Sequence, residues 1–416
     1  MEGKRFIRTL RLRNLLSYGP EASEVELGGL NVLIGPNAVG KSNLIEAISL
    51  LQASPTDLAK PIREGGGIAE WLWKGAEHAS AAQIDATVYY PNGAMPLRHV
   101  LSLAEVGQKF QVEDERIESE HSRNPGDDDV FFFYRYQHGH PVINAWPPPN
   151  EDEPTSAKEE QGWHEVTGRR LRKLSTDAID HGKSILAQRK DADLYPEITY
   201  LAENYAGVKI YREWSLGRGT PPRRPQQVDL PDDFLLEDAT NIALILNNLI
   251  HSGYRNTILE HLRTFYEDIE DITTKIQGGT VQLYLHEKGL AGGPIPAARI
   301  SDGMLRFLGL LAILVHPNPP SLVCIEEPEL CLHPDIIPTV GKLLVEASER
   351  TQLVVTTHSD ALISSLSDVP ECVLVCERDA DGSSLRRLEA EQLADWLDTY
   401  KLGDIWRMGE IGGTRW

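Results

Sequence analysis

The feature that most constrains the fold is the stretch GPNAVGKS, residues 35–42, which directly follows the short apolar run 30–34. Its spacing, a glycine, four residues and then Gly-Lys-Ser, is the pattern of a loop that wraps a phosphate group. The glycines let the backbone turn tightly with its N–H groups facing an anion, and the helix that follows directs its positive end to the same point. The sequence therefore predicts a strand, a phosphate-binding loop and a helix.

Each part of this loop has an expected role in binding a nucleotide. Lys41 would place a positive charge at the β- and γ-phosphates, and Ser42 would offer its hydroxyl group to Mg²⁺. The residues expected to bind the nucleotide are Gly35, Pro36, Asn37, Ala38, Val39, Gly40, Lys41 and Ser42.

The stretch SLVCIEEPEL, residues 321–330, is an apolar strand pattern that ends in two carboxylates. A carboxylate at the end of a strand beside a phosphate loop can hold Mg²⁺, and Glu326 suits that task. Glu327, one residue further on, could orient and polarise an attacking water molecule. The alternative is a strand that simply runs into an acidic turn.

Two other stretches in the same half of the chain allow a functional and a structural interpretation. In RISDGML, from residue 299, Ser301 is typical of a helix N-cap, and Ser301 with the backbone of Gly303 could bind a phosphate at that helix start. In QLVVTTHSD, from residue 352, a buried strand pattern ends near His358, which could sense a γ-phosphate. The alternatives are a capped core helix and a structural histidine.

Composition and charge limit the function classes. The 416 residues allow a sizeable core, and the net charge of −21 argues against broad, passive binding to nucleic acid or to anionic membranes. No apolar run reaches the ~18 residues of a membrane helix, and the first residues show no signal pattern, so a cytoplasmic protein without a membrane partner is expected. The cysteines do not form a CxxC pair, which favours buried, reduced thiols over a metal site: Cys324, Cys331, Cys372 and Cys376.

The pattern of elements changes twice along the chain. Period-two alternation at 6–13 and a hairpin signal over 84–103 predict antiparallel strands in the first part, which ends in the Pro- and Glu-rich stretch 146–162. Beyond it, the patterns over 168–190, 194–206, 237–251 and 254–270 are helical. From about residue 280 strands alternate with helices, which favours a largely parallel sheet. The predicted divisions are 1–164, 165–279 and 280–416.

The order of these motifs resembles ABC-type ATPase heads of the SMC/RecF/OLD branch. It is most similar to small bacterial predicted AAA-family ATPases from two-gene loci linked to phage defence or toxin-like activity. The resemblance covers residues 1–110 and 280–416. It implies an α/β fold: an ABC-type P-loop NTPase head with a mixed sheet and an N-terminal antiparallel β subdomain, joined by a mainly helical insertion.

The resemblance also implies roles for individual residues. Residues 35–42 match the Walker A motif and 322–326 match Walker B, with Glu326 where many ABC proteins have aspartate. Glu327 matches the catalytic glutamate, and 300–304 match the signature motif. His358 matches the switch histidine. In such heads the signature of one protomer closes on the ATP of the other, so the implied active form is a Mg²⁺-dependent, ATP-hydrolysing homodimer with ATP at the interface. The Q-loop is not placed; Gln108 and Gln111 are the candidates.

Three uses of ATP remain open, and the first is favoured. In the first, the ATPase gates a separate effector protein of nuclease or toxin type, with anti-phage defence as the expected setting. In the second, it is a RecF/SMC-like ATPase of DNA repair or maintenance that binds DNA through the basic cluster 169–173 and through Arg218, Arg223 and Arg224, although solvated charge is the favoured interpretation of these residues. The third, a transporter subunit, fits least well.

Two features near the C-terminus bear on that choice. Asp379 and Asp381 could bind Mg²⁺, but a hairpin turn before Gly382 is the better interpretation, so nuclease activity is expected from a partner. The stretch 402–416 carries Trp406, Met408, Ile411 and Trp416 among glycines. It is expected either to fold back on the head or to dock a partner.

Overall fold

The computed structural model describes residues 3–21, 23–75, 79–122, 130–137, 140–146, 165–166, 169–175, 177 and 179–413. Most of the Pro- and Glu-rich stretch 146–162 and the predicted tail residue Trp416 lie outside these ranges. Within the described ranges, every helix falls short of the length and apolar character that crossing a bilayer requires.

The bounds of the strands and helices are given in chain order. The strands are β1 (Ile7–Arg13), β2 (Ser23–Glu26), β3 (Leu30–Ile34), β4 (Ala81–Val88), β5 (Leu97–Val106), β6 (Lys109–Ser119), β7 (Phe132–Gln137), β8 (His140–Ala145), β9 (Glu165–Val166), β10 (Arg169–Lys173), β11 (Lys209–Tyr211), β12 (Gln226–Gln227), β13 (Ile269–Gln277), β14 (Thr280–Glu287), β15 (Ile295–Pro296), β16 (Leu322–Glu326), β17 (Gln352–Thr356), β18 (Val373–Arg378) and β19 (Ser383–Arg387). The α-helices are α1 (Lys41–Ala53), α2 (Ala59–Glu64), α3 (Ile68–Trp71), α4 (Ile185–Gln188), α5 (Pro196–Gly207), α6 (Ile242–Leu249), α7 (Arg255–Phe265), α8 (Asp302–Leu314), α9 (Ile337–Ala347), α10 (Asp360–Ser364), α11 (Ala390–Leu397) and α12 (Leu402–Met408).

A six-stranded sheet positions the site, with strand order β11-β16-β17-β3-β18-β19. Its first five strands run parallel, and β19 returns antiparallel to β18. All five residues of β3 and of β17 are buried, as expected for strands that are covered on both faces. Because the strands are parallel, the segments that follow β3, β16 and β17 all emerge at one edge, which brings three of the predicted motifs together.

The N-terminal antiparallel β subdomain is confirmed as a nine-stranded sheet, with order β2-β1-β4-β5-β6-β7-β8-β10-β9. In β1, Leu10 and Leu12 are buried while Arg11 and Arg13 are exposed, which is the predicted alternation of one covered and one wet face. A third, smaller sheet contains β12, β14 and β13, with β15 paired to β14. The fold class predicted from the sequence is therefore confirmed.

The segment 165–279 differs in part from its predicted helical patterns. The pattern over 168–190 is wrong for its first part, because β10 is a strand that pairs antiparallel with β8. The helices α5, α6 and α7 do form, but β11 from the same segment pairs with β16 in the central sheet. The predicted division at 279/280 falls in the turn of the β13–β14 hairpin. The division of the chain into three parts stays a prediction.

The C-terminal stretch packs on the head as far as the structure describes it. Ile411 is buried, and its carbonyl oxygen accepts a hydrogen bond from Arg386 Nη2 at 2.9 Å. A Cβ atom added at Gly413 would lie 3.4 Å from the Cα of Gly35, so the stretch reaches the phosphate loop. Of the two interpretations of residues 402–416, the described part follows the first.

Two smaller predictions concern the burial of the cysteines and the turn at Asp379. Cys324, Cys372 and Cys376 are buried thiols, but the prediction of burial is wrong for Cys331, which is exposed because it lies in the loop after β16. Asp379 belongs to the turn between β18 and β19, where its Oδ1 accepts from the backbone N–H groups of Asp381 and Gly382. The hairpin turn is therefore confirmed.

Candidate nucleotide-binding site

The phosphate loop is built around two glycines with positive φ, Gly35 at 142° and Gly40 at 106°. A Cβ atom at Gly40 would lie 2.4 Å from Ser383 Oγ and 2.5 Å from Ser17 Oγ. A side chain is therefore excluded at position 40 both by backbone conformation and by space. The pattern of glycines read from the sequence follows from this packing.

Polar contacts fix the buried half of the loop to the sheet. The carbonyl oxygen of Val39 accepts from Ser383 Oγ at 2.6 Å and from Cys376 Sγ at 3.2 Å. Tyr18 donates its hydroxyl hydrogen to the carbonyl oxygen of Gly40 at 3.2 Å. Burial raises the pKa of the Cys376 thiol to about 12, so the thiol stays protonated and can donate. Asn37 and Ala38, by contrast, are exposed at the tip of the loop.

Lys41 is turned back onto its own loop. Its Nζ donates to the carbonyl oxygens of Gly35 and Pro36, both at 2.8 Å. Burial lowers the pKa of the ammonium group, and the nearby Cys376 and Glu327 partly oppose that shift. An ammonium group that is desolvated and held by two carbonyl oxygens is ready to exchange them for the stronger contact with a phosphate.

Ser42 and Glu326, the two residues predicted to bind the metal, are in contact. Ser42 Oγ donates to Glu326 Oε2 at 3.2 Å, across 284 positions of sequence. Both are oxygen donors, which is the ligand type that Mg²⁺ prefers, so the residues present fit this ion. Burial raises the pKa of the Glu326 carboxyl group above its usual value, and Arg212 and the Ser42 hydroxyl oppose that rise.

Arg212 is a charged residue of this site that sequence reasoning missed. It follows β11, the neighbour of β16, and its Nε lies 3.3 Å from Glu326 Oε1. Its Nη1 lies 2.5 Å from Glu46 Oε1 on α1. A lone arginine within the segment 165–279 gave no pattern by which it could have been found.

Glu327 and His358 lie side by side, with 3.8 Å between Glu327 Oε1 and His358 Nε2. Glu327 has a φ of 46°, and its N–H donates to the carbonyl oxygen of Thr356 at 3.0 Å, which ties the end of β16 to β17. Burial first, and the charge of Lys41 second, lower the pKa of His358. The imidazole therefore favours its neutral form near pH 7.

Two further residues hold these groups in place and were also missed. Glu329 Oε1 accepts from Thr357 Oγ1 at 2.6 Å and from the backbone N–H of His358 at 2.9 Å. Arg306 on α8 donates from Nη2 to the carbonyl oxygen of Glu327 at 2.7 Å. Glu329 stands in the predicted motif EEPE, and its position after two assigned carboxylates is the signal that could have identified it.

The predicted signature motif forms the start of α8. Ser301 is its N-cap, since its Oγ accepts from the N–H of Met304 at 3.2 Å. A Cβ atom at Gly303 would lie 2.6 Å from the carbonyl oxygen of Cys331, so this helix start rests on the loop after β16. Among the described residues, neither Ser301 nor Gly303 is hydrogen-bonded to the phosphate loop.

Arg223 holds the signature motif from behind. This buried guanidinium donates to the carbonyl oxygens of Leu216 and Ile300, each at 2.5 Å, and to that of Ala297 at 3.3 Å. It also pairs with Asp302. Arg223 is therefore a structural residue here, which removes it from the predicted DNA-binding cluster.

The other predicted contacts to DNA and the Q-loop candidates fall elsewhere. Arg169 is buried in an ion pair with Glu197, with 2.6 Å between Nη2 and Oε1. Arg218 and Arg224 are exposed. Gln108 lies in the turn between β5 and β6, and Gln111 lies in β6, so neither follows a strand of the central sheet.

The comparisons with known proteins concern the family and the fold. A family model described as "AAA domain, putative AbiEii toxin, Type IV TA system" matches residues 30–364. No curated protein matches the chain. Among solved structures, an Smc head bound to the C-winged helix domain of ScpA is 14% identical, with a TM-score of 0.56 over 93% of this chain and 99% of that one. An Smc head domain from Pyrococcus furiosus, with an extended coiled coil and bound to the C-terminal domain of ScpA, is 12% identical, with a TM-score of 0.49 over 94% and 98%.

The likeness to the first of these heads is one of fold. The central sheet carries its phosphate loop, acidic strand end and histidine turn at one edge, which is the arrangement of a P-loop ATPase head. The family model covers well over half of the residues. The chain has the fold of an ABC-type, SMC-like P-loop ATPase head, and it belongs to the family of AAA domains described as putative AbiEii toxins of type IV toxin–antitoxin systems.

Proposed function

We propose that the protein binds ATP with Mg²⁺ and hydrolyses it in a head-to-head homodimer, and that this cycle gates a separate effector protein. The observation that carries the proposal is the convergence of Ser42, Glu326, Glu327 and His358 at one edge of the central sheet. These are the groups that phosphoryl transfer to water needs: a metal site, a water-polarising carboxylate and a neutral imidazole.

Different residues of the chain would have different roles in ATP binding and hydrolysis. The phosphate loop and Lys41 would hold the phosphates, and Ser42 with Glu326 would hold the metal. The chemistry that a bound Mg²⁺ supplies is neutralisation of charge on the β- and γ-phosphates. Glu327 would orient the attacking water, while His358, 3.8 Å away, would contact the γ-phosphate side.

The exposed start of α8 supports the dimer. Ser301 is exposed, and Gly303 is packed on the loop after Glu327 instead of on the chain's own phosphate loop. An exposed helix N-terminus that presents backbone N–H groups can complete the ATP site of a second copy. ATP binding would then favour closure, and hydrolysis would favour opening.

The family description supports a partner protein. It names a putative AbiEii toxin of a type IV toxin–antitoxin system, and such a system has two components. The described residues contain no group of three or more His, Cys, Asp or Glu side chains that could hold a catalytic metal cluster. In the proposal the nuclease or toxin-like activity belongs to the partner protein, with anti-phage defence as its setting.

The experiment that tests the proposal is purification of the Glu327→Gln variant from native cells with ATP and Mg²⁺. Slowed hydrolysis should keep the dimer closed, and one effector protein should co-purify in fixed ratio. Light scattering should then give twice the monomer mass plus the mass of the bound effector. The double variant Lys41→Ala/Glu327→Gln is the matched control and should stay monomeric. A monomer in both variants would refute the dimer, and co-purified DNA without a protein would favour the RecF/SMC-like alternative.

A further inference from the structure

Arg212 stands between two carboxylates at the predicted metal site. Its Nε lies 3.3 Å from Glu326 Oε1, while the other oxygen, Oε2, accepts from Ser42 Oγ at 3.2 Å. Its Nη1 lies 2.5 Å from Glu46 Oε1. Both oxygens of Glu326 are thus in contact with polar groups of the chain itself.

The charges explain this arrangement. The side chain of Glu326 is only 19% exposed, and a carboxylate withdrawn from water is unfavourable unless a cation or hydrogen-bond donors compensate it. The guanidinium of Arg212 supplies that compensation here. A divalent cation that approaches Glu326 therefore meets a positive charge already in contact with the same carboxylate.

We propose that Arg212 is the counter-ion of Glu326 in the nucleotide-free head and that Mg²⁺ must displace it when it binds with the nucleotide. The inference rests on the proposed function, because it takes Glu326 as the metal ligand. It adds a competitor to that site, and so makes Arg212 a positioning residue that sets how strongly nucleotide binding depends on the metal.

The surroundings give the displaced side chain a place to go. Arg212 and Glu46 line a cavity of about 770 Å³. Glu213, Glu237 and Asp238 line the same cavity, so it is acidic beside Arg212. The guanidinium can leave Glu326, keep its contact with Glu46 and remain among carboxylates. Its positive charge is therefore not transferred to an apolar site.

The test measures ADP affinity by calorimetry, once in EDTA and once in Mg²⁺, for the wild type and for Arg212→Gln. The ratio of the two affinities isolates the contribution of the metal. Without its competitor, Mg²⁺ should strengthen ADP binding more in the variant than in the wild type. The ratio should rise about fivefold, which corresponds to the free energy of one partly exposed ion pair. ADP affinity in EDTA should change much less than the ratio.

Arg63→Gln is the matched control. It removes the same charge from the nearby α2, where the exposed Arg63 pairs with Asp57 at 2.7 Å, and Asp57 lines the same cavity. Its ratio should equal that of the wild type. Thermal unfolding checks that each variant is folded. Should Arg212→Gln not fold, Arg212→Lys decides, since an ammonium group cannot reach both carboxylates in the way a guanidinium does and the ratio should rise by a smaller amount.

An unchanged ratio in a folded Arg212 variant would overturn the inference. An equal loss of affinity in EDTA and in Mg²⁺ also leaves the ratio unchanged, and it would make Arg212 a phosphate ligand. Failure of the proposed function would look different: the wild type would then bind ADP no more tightly than Lys41→Ala does in either buffer.

Discussion

The phosphate loop and the signature motif are both short, glycine-containing turns at the start of a helix, yet they are held differently. Val39 and Gly40 are buried and bonded to Ser383, Cys376 and Tyr18. Ser301 and Asp302 are exposed, and Arg223 holds this helix start from behind through the carbonyl oxygen of Ile300 and the side chain of Asp302. The loop is fixed inside one head, whereas the signature is fixed in place but presented outward.

This difference separates two steps of the proposed cycle. A preformed loop can bind a nucleotide in the monomer, while an exposed signature acts only when a second head arrives. Variants of the loop should therefore weaken nucleotide binding itself. Variants of the signature should spare nucleotide binding and weaken closure.

The largest effect is expected for Lys41→Ala. Its ammonium group already holds two carbonyl oxygens at 2.8 Å and would exchange them for phosphate oxygens. Loss of this charge-assisted contact should weaken ATP binding about 100-fold. Calorimetry on the monomer measures this, with the exposed Lys342→Ala on α9 as control. Wild-type affinity in Lys41→Ala would remove the loop from nucleotide binding.

Arg223→Gln should act on the signature alone. Its guanidinium serves three carbonyl oxygens and Asp302, so its loss should lower the free energy of unfolding by about 2 kcal/mol. We expect ATP binding by the monomer to be retained and ATP-driven dimerisation to be weakened. Denaturant unfolding and light scattering measure the two effects.

Arg224→Gln, one residue further on and exposed, is the control for that variant. It should change neither quantity. If both variants weakened dimerisation equally, the effect would come from the charge of the surface and not from support of the signature. If both variants instead lost DNA binding, that result would support the DNA-binding alternative, although the burial of Arg223 argues against it.

Gly303→Ala tests the contact between the signature and the loop after β16. A Cβ atom there would lie 2.6 Å from the carbonyl oxygen of Cys331, and a backbone atom cannot yield without moving the loop. Dimerisation in ATP should weaken about tenfold, which corresponds to a loss of about 1.4 kcal/mol of association free energy. Gly207→Ala, whose Cβ would meet nothing within 4 Å, is the control. A loss of ATP binding in the monomer would contradict the separation of the two steps.

The sequence predicts best the parts of this molecule that local patterns encode. β3 has the bounds of the predicted apolar run 30–34, and β17 begins at residue 352 as predicted, because each has an apolar pattern between polar residues. The prediction fails at β10, where Arg169, Leu171 and Lys173 look like part of a charged helix. Pairing with β8 overrides that local preference.

The same distinction applies to the site. The Walker A and Walker B motifs are contiguous, so their residues could be named from the sequence. Arg212 and Arg306 reach Glu326 and Glu327 from other segments of the chain. Only the fold shows which carboxylate or carbonyl oxygen each of them meets, and no local pattern marks these two arginines, whereas the EEPE motif could have identified Glu329.

The smallest effect is expected for Ser383→Ala, on the loop side of the comparison. Ser383 Oγ donates to the carbonyl oxygen of Val39 at 2.6 Å, and its loss leaves a buried acceptor with only the weaker thiol contact of Cys376 at 3.2 Å. The free energy of unfolding should fall by about 1 kcal/mol. ATP affinity of the monomer should fall by a few-fold as the loop loosens. Ser384→Ala, the exposed neighbour, should change neither value, and equal effects of the two variants would show that the loop is held by the backbone of β19 alone.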